Sequence, residues 1–239
     1  MSYLRLLAMI LWTVIWITLS LVLIVLTFNR KLPLVMARRI WAPGILTILS
    51  SRTRVYGKEN IEAGKSYVLM SNHLSYLDVP TLFKVIPLNI YFIAKKELRK
   101  TPFIGWYMRA TEMIFIDRND KNEAQKNLTE AAELIAKGKT VLIFPEGTLS
   151  PDGQIKRFKK GGFKLALEAG VEILPIAING TNEVWSANSN TKFKPGKISV
   201  SIGKPISLAD QNYNDLNELM LTVKSTVENL RIGNPTISI

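Results

Sequence analysis

Ser66-Tyr67-Val68-Leu69-Met70 is a short, mostly apolar run, and Ser71-Asn72-His73-Leu74-Ser75-Tyr76-Leu77-Asp78 follows it without a break. A continuous run this short reads as a strand covered on both faces, because a strand with one wet face would alternate. Further strand candidates of similar length lie at 53–56, 89–94, 113–116, 140–144, 172–178 and 197–202. Several of them are also unbroken apolar runs.

Helical patterns fall between these strands. Residues 121–137 place Ala124, Leu128, Ala131 and Ile135 on one face, with Asn119 or Asp120 to cap the start and Gly138 just past the end. Residues 214–231 repeat Leu216, Leu219, Met220, Val223, Val227 and Leu230 at helical spacing. These stripes are core positions. Shorter helices fit 79–86, 103–109 and 162–169. Strands alternating with helices imply a single layered α/β domain, a central sheet flanked by helices. No internal repeat or low-complexity tract interrupts it.

The 239 residues suit one catalytic domain, 51–239, preceded by an anchoring segment, 1–50. Zero cysteine excludes a disulfide framework, a thiolate metal site and a cysteine nucleophile. A single histidine excludes a histidine-rich metal site. The net charge of +12, from 31 basic and 19 acidic residues, calls for an anionic partner or a solvated basic surface. Nucleic acid, an anionic membrane face and a phosphate-bearing cosubstrate each fit the charge alone.

Residues 6–28 are uncharged and rich in Leu, Ile and Val, with Trp12 and Trp16 among them. As a helix they would extend about 34 Å, a little more than the hydrocarbon thickness of a bilayer. A signal peptide has a shorter apolar region and a small-residue cleavage site, whereas Asn29-Arg30-Lys31 follows here. A retained membrane helix is therefore expected. If it spans, Arg30, Lys31, Arg38 and Arg39 place the remainder on the cytoplasmic face of the inner membrane. Residues 32–50, broken by Arg38-Arg39 and Pro43, read as an interfacial helix with its apolar face in lipid. Spanning and one-leaflet insertion of the first helix both remain open.

His73 sits just past a strand end, where α/β proteins expose their sites. A neutral imidazole can take a proton from a hydroxyl near neutral pH, provided a partner fixes its tautomer. Asp78 is that partner only if the chain turns between them, because on one straight helix the two would diverge by about 140°. Ser75-x-x-Asp78 equally fits a helix capping box, and Asp78 equally fits an N-cap with Pro80 in the first turn. Glu146-Gly147-Thr148 follows another apolar strand, and Pro145 there also fits an ordinary β-turn. Lys156, Arg157, Lys159 and Lys160 precede Gly161-Gly162 at a helix start, which suits a phosphate or a merely solvated loop. Lys95-Lys96 and Asp117-Arg118 end two further strands.

Together these segments resemble the glycerolipid acyltransferase family, the lysophosphatidic acid acyltransferase type in particular. Asn72-His73…Asp78 is similar to its His-x4-Asp motif. Lys95-Lys96-Glu97-Leu98…Pro102…Gly105-Trp106, closing with Ile116-Asp117-Arg118, is similar to its second motif. Phe144-Pro145-Glu146-Gly147-Thr148 resembles the third, and Ile173-Leu174-Pro175-Ile176 the fourth. The four occur in family order over about 53–205. The resemblance implies that His73, oriented by Asp78, activates the free hydroxyl of a lysophospholipid, with 1-acyl-glycerol-3-phosphate the first choice. The acyl group would come from acyl-coenzyme A or acyl carrier protein as cosubstrate, with no metal, no tightly bound cofactor and no nucleic-acid partner. Glu146, Gly147 and Thr148 would contact the acceptor, and Gly147 or a neighbour would offer an oxyanion donor. Arg118 and Lys95 would recognise phosphate; Arg157, Lys159 and Lys160 would touch phosphate or coenzyme A.

One position departs from the pattern. The third motif usually continues Gly-Thr-Arg-Ser, and its arginine is implicated in binding the acceptor phosphate. Here the residues are Gly147-Thr148-Leu149-Ser150. Either another cation (Arg118, Arg157 or Lys159) takes that role, or the acceptor lacks a terminal phosphate. The remaining alternative is a non-enzymatic, membrane-tethered basic protein, in which lysines and arginines matter and His73 does not.

Overall fold

The structure, a computed structural model, describes residues 2–116, 121–150, 152–186, 188–189, 191–208 and 215–233, and of 121–126 only the backbone. Among the described residues the strands are β1 (Ser51–Tyr56), β2 (Val68–Ser71), β3 (Ile90–Lys95), β4 (Ile114–Ile116), β5 (Thr140–Ile143), β6 (Ile173–Asn179) and β7 (Gly196–Ile202). They form one sheet in the order β1-β7-β6-β2-β5-β3-β4. Neighbours are parallel except β6 and β7. Strands β2 to β6 therefore point the same way, and their carboxyl ends share one edge. Strand β2 is central and buried at every residue, as its unbroken apolar sequence requires.

Pro175 interrupts a central strand without breaking it. Its carbonyl accepts from the Gly203 N–H, 2.9 Å, just past the end of β7. The β6–β7 ladder begins only at Ile176. The missing proline N–H thus falls just outside this ladder rather than within it.

The long helices appear where the periodicity puts them: α6 (Lys121–Ala136), α7 (Gly161–Ala169) and α9 (Leu216–Ile232). Leu219, Met220, Val223 and Val227 of α9 are buried, as are Ala131 and Ile135 of α6. Helices α6, α7 and α9 pack together, while α1 (Ser2–Thr27), α2 (Leu32–Met36), α3 (Ala42–Ile48), α4 (Asp78–Val85) and α5 (Ile104–Ala110) form a second group. The proposed caps Asn119 and Asp120 lie outside the described residues.

Residues 32–48 are helical throughout, with a widened π turn at Ala37–Trp41. The widening suits Pro43, which has no N–H to give residue 39 in a regular ladder. The apolar face of this segment differs from expectation. It was to lie in lipid; instead Leu34, Ala42, Ile45 and Leu46 are buried in the same core as Leu69 and Ile176, against α4 and β1. An apolar helix face goes to lipid only when no protein surface claims it. Residues on both sides of position 50 share this core.

Helix α1 is stitched to this segment by two tryptophans. The Trp12 indole donates to the Trp41 carbonyl, 3.0 Å, and the Trp41 indole donates to Thr13 Oγ1, 3.1 Å. Gly44 lies under Trp12, where a Cβ would come within 2.4 Å of the ring. The outer face of α1 stays apolar and uncovered along its length: Leu4, Leu7, Leu11, Ile15, Leu19, Val22 and Leu26 are all exposed. The helix is long and apolar enough to cross a membrane, with a mean hydropathy of 2.6 in its most apolar window.

Candidate active site

The chain leaves β2 at Ser71 and is caught at once. Asn72 is fully buried, and its side-chain amide pairs with the backbone of β6: Nδ2 donates to the Ile178 carbonyl, 3.0 Å, and the Ile178 N–H donates to Oδ1, 2.8 Å. The amide thus mimics one more ladder rung and sends the backbone away from the sheet at His73. The loop beyond β5 clamps His73 on both sides. Its N–H donates to Glu146 Oε1, 2.9 Å, and its carbonyl accepts from the Ser150 N–H, 2.7 Å.

The turn that Asp78 requires is present. His73 Nδ1 lies 2.8 Å from Asp78 Oδ2. A carboxylate oxygen that accepts here leaves the imidazole proton on Nδ1 and the Nε2 lone pair free to take a proton. The same Oδ2 accepts from the backbone N–H of Leu74, 2.6 Å, and of Ser75, 2.9 Å. Oδ1 accepts from Thr181 Oγ1, 2.5 Å. Asp78 is 0% exposed, so burial is tolerable only because every face of the carboxylate is met by a donor.

Asp78 pairs with the imidazole and also braces the turn that leads into α4, while neither helix-cap reading is met in full. Ser75 Oγ accepts from the Leu77 N–H, 3.2 Å, while Asp78 reaches back to the Ser75 N–H. These bonds brace the turn before α4 but stop short of a capping box: the Ser75 hydroxyl takes the N–H of Leu77, not of Asp78, and Leu77 holds the N-cap position with no side-chain cap. The carboxylate that braces this turn also orients the imidazole. The Ser75 hydroxyl donates in turn to the Trp185 carbonyl, 2.6 Å.

Glu146 is 2% exposed. Besides holding His73, its Oε2 accepts from Ser150 Oγ, 2.6 Å, and from the Lys156 N–H, 2.9 Å. Its carboxylate is directed inward, fixing the histidine loop. The Phe144 ring stacks on the His73 imidazole at 3.8 Å between centroids and 11° between planes. Gly147 has φ +70°, and its N–H closes its own turn onto the Phe144 carbonyl, 3.0 Å. It is therefore not a free oxyanion donor. The adjacent N–H groups of Thr148 and Leu149 have no protein acceptor among the described residues.

The remaining candidates lie around this centre. Lys95 ends β3 on the same edge and is exposed. Lys159 lies over Gly147; Arg157 and Lys160 are exposed nearby in sequence, Lys160 just before α7. Arg118 lies outside the described residues. Thr181 went unnoticed in the sequence. It begins α8 (Thr181–Val184), too short to show periodicity. The signal was available all the same: Asn179-Gly180-Thr181 ends a strand at the edge that carries His73 and Glu146.

An apolar cavity of about 450 Å³ opens beside His73. Trp16 and Ile17 of α1, Trp41, Phe83, Phe92 and Met113 contribute to its wall. Tyr107 lines it too, with its hydroxyl donating to the Pro33 carbonyl, 3.3 Å, and burial pushes its phenol far above the ordinary range, so it stays neutral. Leu98 and Ile104 line the cavity while remaining exposed, and Phe103 and Trp106 extend the exposed apolar rim.

Comparison with known proteins bears on this arrangement. A family model described as Acyltransferase matches residues 52–179. A 1-acyl-sn-glycerol-3-phosphate acyltransferase of Pseudomonas aeruginosa is 38% identical over 170 residues, 70% of this chain and 64% of that protein. One from Chlamydomonas reinhardtii is 34% identical over 194 residues, 79% of this chain and 58% of that protein. The chain thus spans little more than half the length of some of the relatives it matches. The crystal structure of the 1-acyl-sn-glycerophosphate (LPA) acyltransferase PlsC from Thermotoga maritima superposes with a TM-score of 0.83 at 28% identity, covering 98% of this chain and 97% of that one.

Proposed function

The chain belongs to the acyltransferase family, and from that premise we propose that it transfers an acyl group from a thioester donor to the free hydroxyl of a lysophospholipid. The first acceptor is 1-acyl-glycerol-3-phosphate, acylated at its free sn-2 hydroxyl to phosphatidate. The observation that carries this reading is the His73–Asp78 pair, 2.8 Å apart, at the mouth of an apolar cavity walled partly by α1. A buried carboxylate behind an imidazole is a general-base device, and an apolar cavity beside it suits an acyl chain.

His73 Nε2 takes the proton of the acceptor hydroxyl, and the oxygen attacks the thioester carbonyl. Asp78 stabilises the imidazolium through Nδ1. The N–H groups of Thr148 and Leu149 are the available donors for the oxyanion that forms. Collapse breaks the carbon–sulfur bond, and His73 returns the proton to the leaving sulfur. The donor is acyl-coenzyme A or acyl carrier protein. His73 makes no covalent intermediate in this scheme, and none of its steps uses a metal.

The uncovered stripe of α1, with Leu98, Phe103, Ile104 and Trp106 at the cavity rim, supports membrane association. A lysolipid would enter with its tail in the bilayer and its headgroup at the sheet edge. Arg30, Lys31 and Arg39 favour the cytoplasmic face of the membrane.

The test is acylation of a panel of lysolipids by the purified protein with labelled acyl-coenzyme A. Lysophosphatidate should be converted, and His73→Ala should slow turnover about 10²–10⁴-fold with the fold intact. Near-normal turnover by that variant would remove the general base.

A further inference from the structure

We propose that Lys159 is the cation that reads the acceptor's headgroup, and that as a single ammonium it admits phosphodiester lysolipids as well as phosphomonoesters. The inference rests on the acyl-transfer reading above and narrows its acceptor.

Lys159 is held at the active turn by its backbone. Its N–H donates to the Pro145 carbonyl, 2.8 Å. Its side chain then folds over Gly147: a Cβ there would lie 2.7 Å from Nζ, 3.0 Å from Cε and 3.1 Å from Cδ. Gly147 follows Glu146, whose carboxylate holds the His73 N–H. The ammonium is therefore placed one residue away from the clamp on the catalytic loop. It is exposed and has no hydrogen-bond or ion-pair partner among the described residues.

Three neighbouring residues are less well placed for this role. Lys156 Nζ donates to the Leu149 carbonyl, 2.7 Å, and so is already engaged. Leu149 offers only an aliphatic side chain. Lys95 ends β3, which is separated from β2 by β5.

The chemistry of the cation sets the selectivity. A guanidinium grips two phosphate oxygens in a planar fork, which rewards an unsubstituted phosphate. An ammonium is a compact point charge with rotatable donors and needs only one anionic oxygen. A phosphomonoester carries up to one more charge than a diester near neutral pH. At an exposed site that extra charge is worth roughly fivefold in binding, the value of a pair about 4 Å apart in water. Since Lys159 faces solvent, the group beyond a diester phosphate has room to extend outward. In either acceptor the hydroxyl proton goes to His73, the new ester carbon–oxygen bond replaces the carbon–sulfur bond, and the thiol leaves with the proton.

The experiment compares lysophosphatidate with lysophosphatidylglycerol, using acyl-coenzyme A as donor. Wild type should give kcat/KM values for the two within about tenfold of each other. Lys159→Met should raise KM for both acceptors between about tenfold and a hundredfold, leaving KM for acyl-coenzyme A unchanged. Lys159→Arg should recover acceptor binding and widen the monoester preference. A rise in the donor KM instead would assign Lys159 to coenzyme A and overturn the proposal. So would unchanged acceptor KM values in Lys159→Met, or rejection of the diester by roughly a thousandfold in wild type, far beyond one charge in water. If lysophosphatidate is acylated while Lys159 is indifferent, only this inference fails. If no lysolipid is acylated from either acyl-coenzyme A or acyl carrier protein, the acyl-transfer reading falls with it.

Discussion

The loop after β2 and the turn after β5 lie side by side at the carboxyl edge of the sheet, and they are built in opposite ways. From Asn72 to Asp78 the side chains that carry chemistry are buried or backed by buried partners. Asn72 is tied to β6, Asp78 to donors from His73, Leu74, Ser75 and Thr181, and the His73 backbone to Glu146 and Ser150. Beyond Gly147 the reverse holds: Thr148 and Lys159 are exposed and Leu149 is half-buried. The first region fixes one geometry through many mutually dependent bonds. The second presents side chains that can change without disturbing it. Proton transfer tolerates little displacement, whereas headgroup choice is a matter of surface charge.

Breaking the first region should cost activity and stability together. Asp78→Ala removes the acceptor for two backbone N–H groups and a buried hydroxyl as well as the imidazole partner. It should lower kcat about as far as His73→Ala and also destabilise the fold by about 3 kcal/mol, read by denaturant titration. His73→Ala, by contrast, should leave stability nearly unchanged. Equal stability of the two variants would show that the loop does not depend on its carboxylate. Glu146→Gln keeps one acceptor oxygen and loses the charge. A fall of roughly tenfold in kcat is expected, with about 1 kcal/mol of destabilisation; a change confined to KM for the acceptor would show instead that Glu146 contacts substrate. The rim should show the weakest effect. Trp106→Ser should leave stability within about 0.5 kcal/mol while weakening sedimentation with lipid vesicles. Unchanged vesicle binding would separate the apolar rim from the membrane.

The contrast also explains what the sequence could show. The strands were legible because burial on both faces leaves unbroken apolar runs, and those runs end at His73, Lys95 and Glu146. The direction of a side chain past a strand end was not legible. Glu146 looked like a residue aimed at the acceptor, yet its carboxylate points into the protein, which only the positions of Ser150 and Lys156 reveal. The anchoring role of Asn72, and Thr181 altogether, escaped for a similar reason: each contacts a partner more than a hundred residues away. Residues 32–48 read correctly as helical, but periodicity identifies an apolar face without saying whether lipid or protein meets it. The pairing of His73 with Asp78 was one of several readings of a single spacing; the structure brings the two together and puts Leu77, not Ser75 or Asp78, at the helix cap.

That shared carboxylate couples the orientation of His73 to the start of α4. An imidazole next to a thioester and not screened from water is a hydrolysis catalyst, so a half-formed site would waste activated acyl groups. Here Oδ2 of Asp78 reaches Nδ1 of His73 and the Ser75 N–H together. A chain whose α4 has not wound, or has frayed by a turn, withdraws the support that makes the histidine basic and oriented. In the proposed mechanism, orienting the base and setting the first residue of α4 depend on one carboxylate.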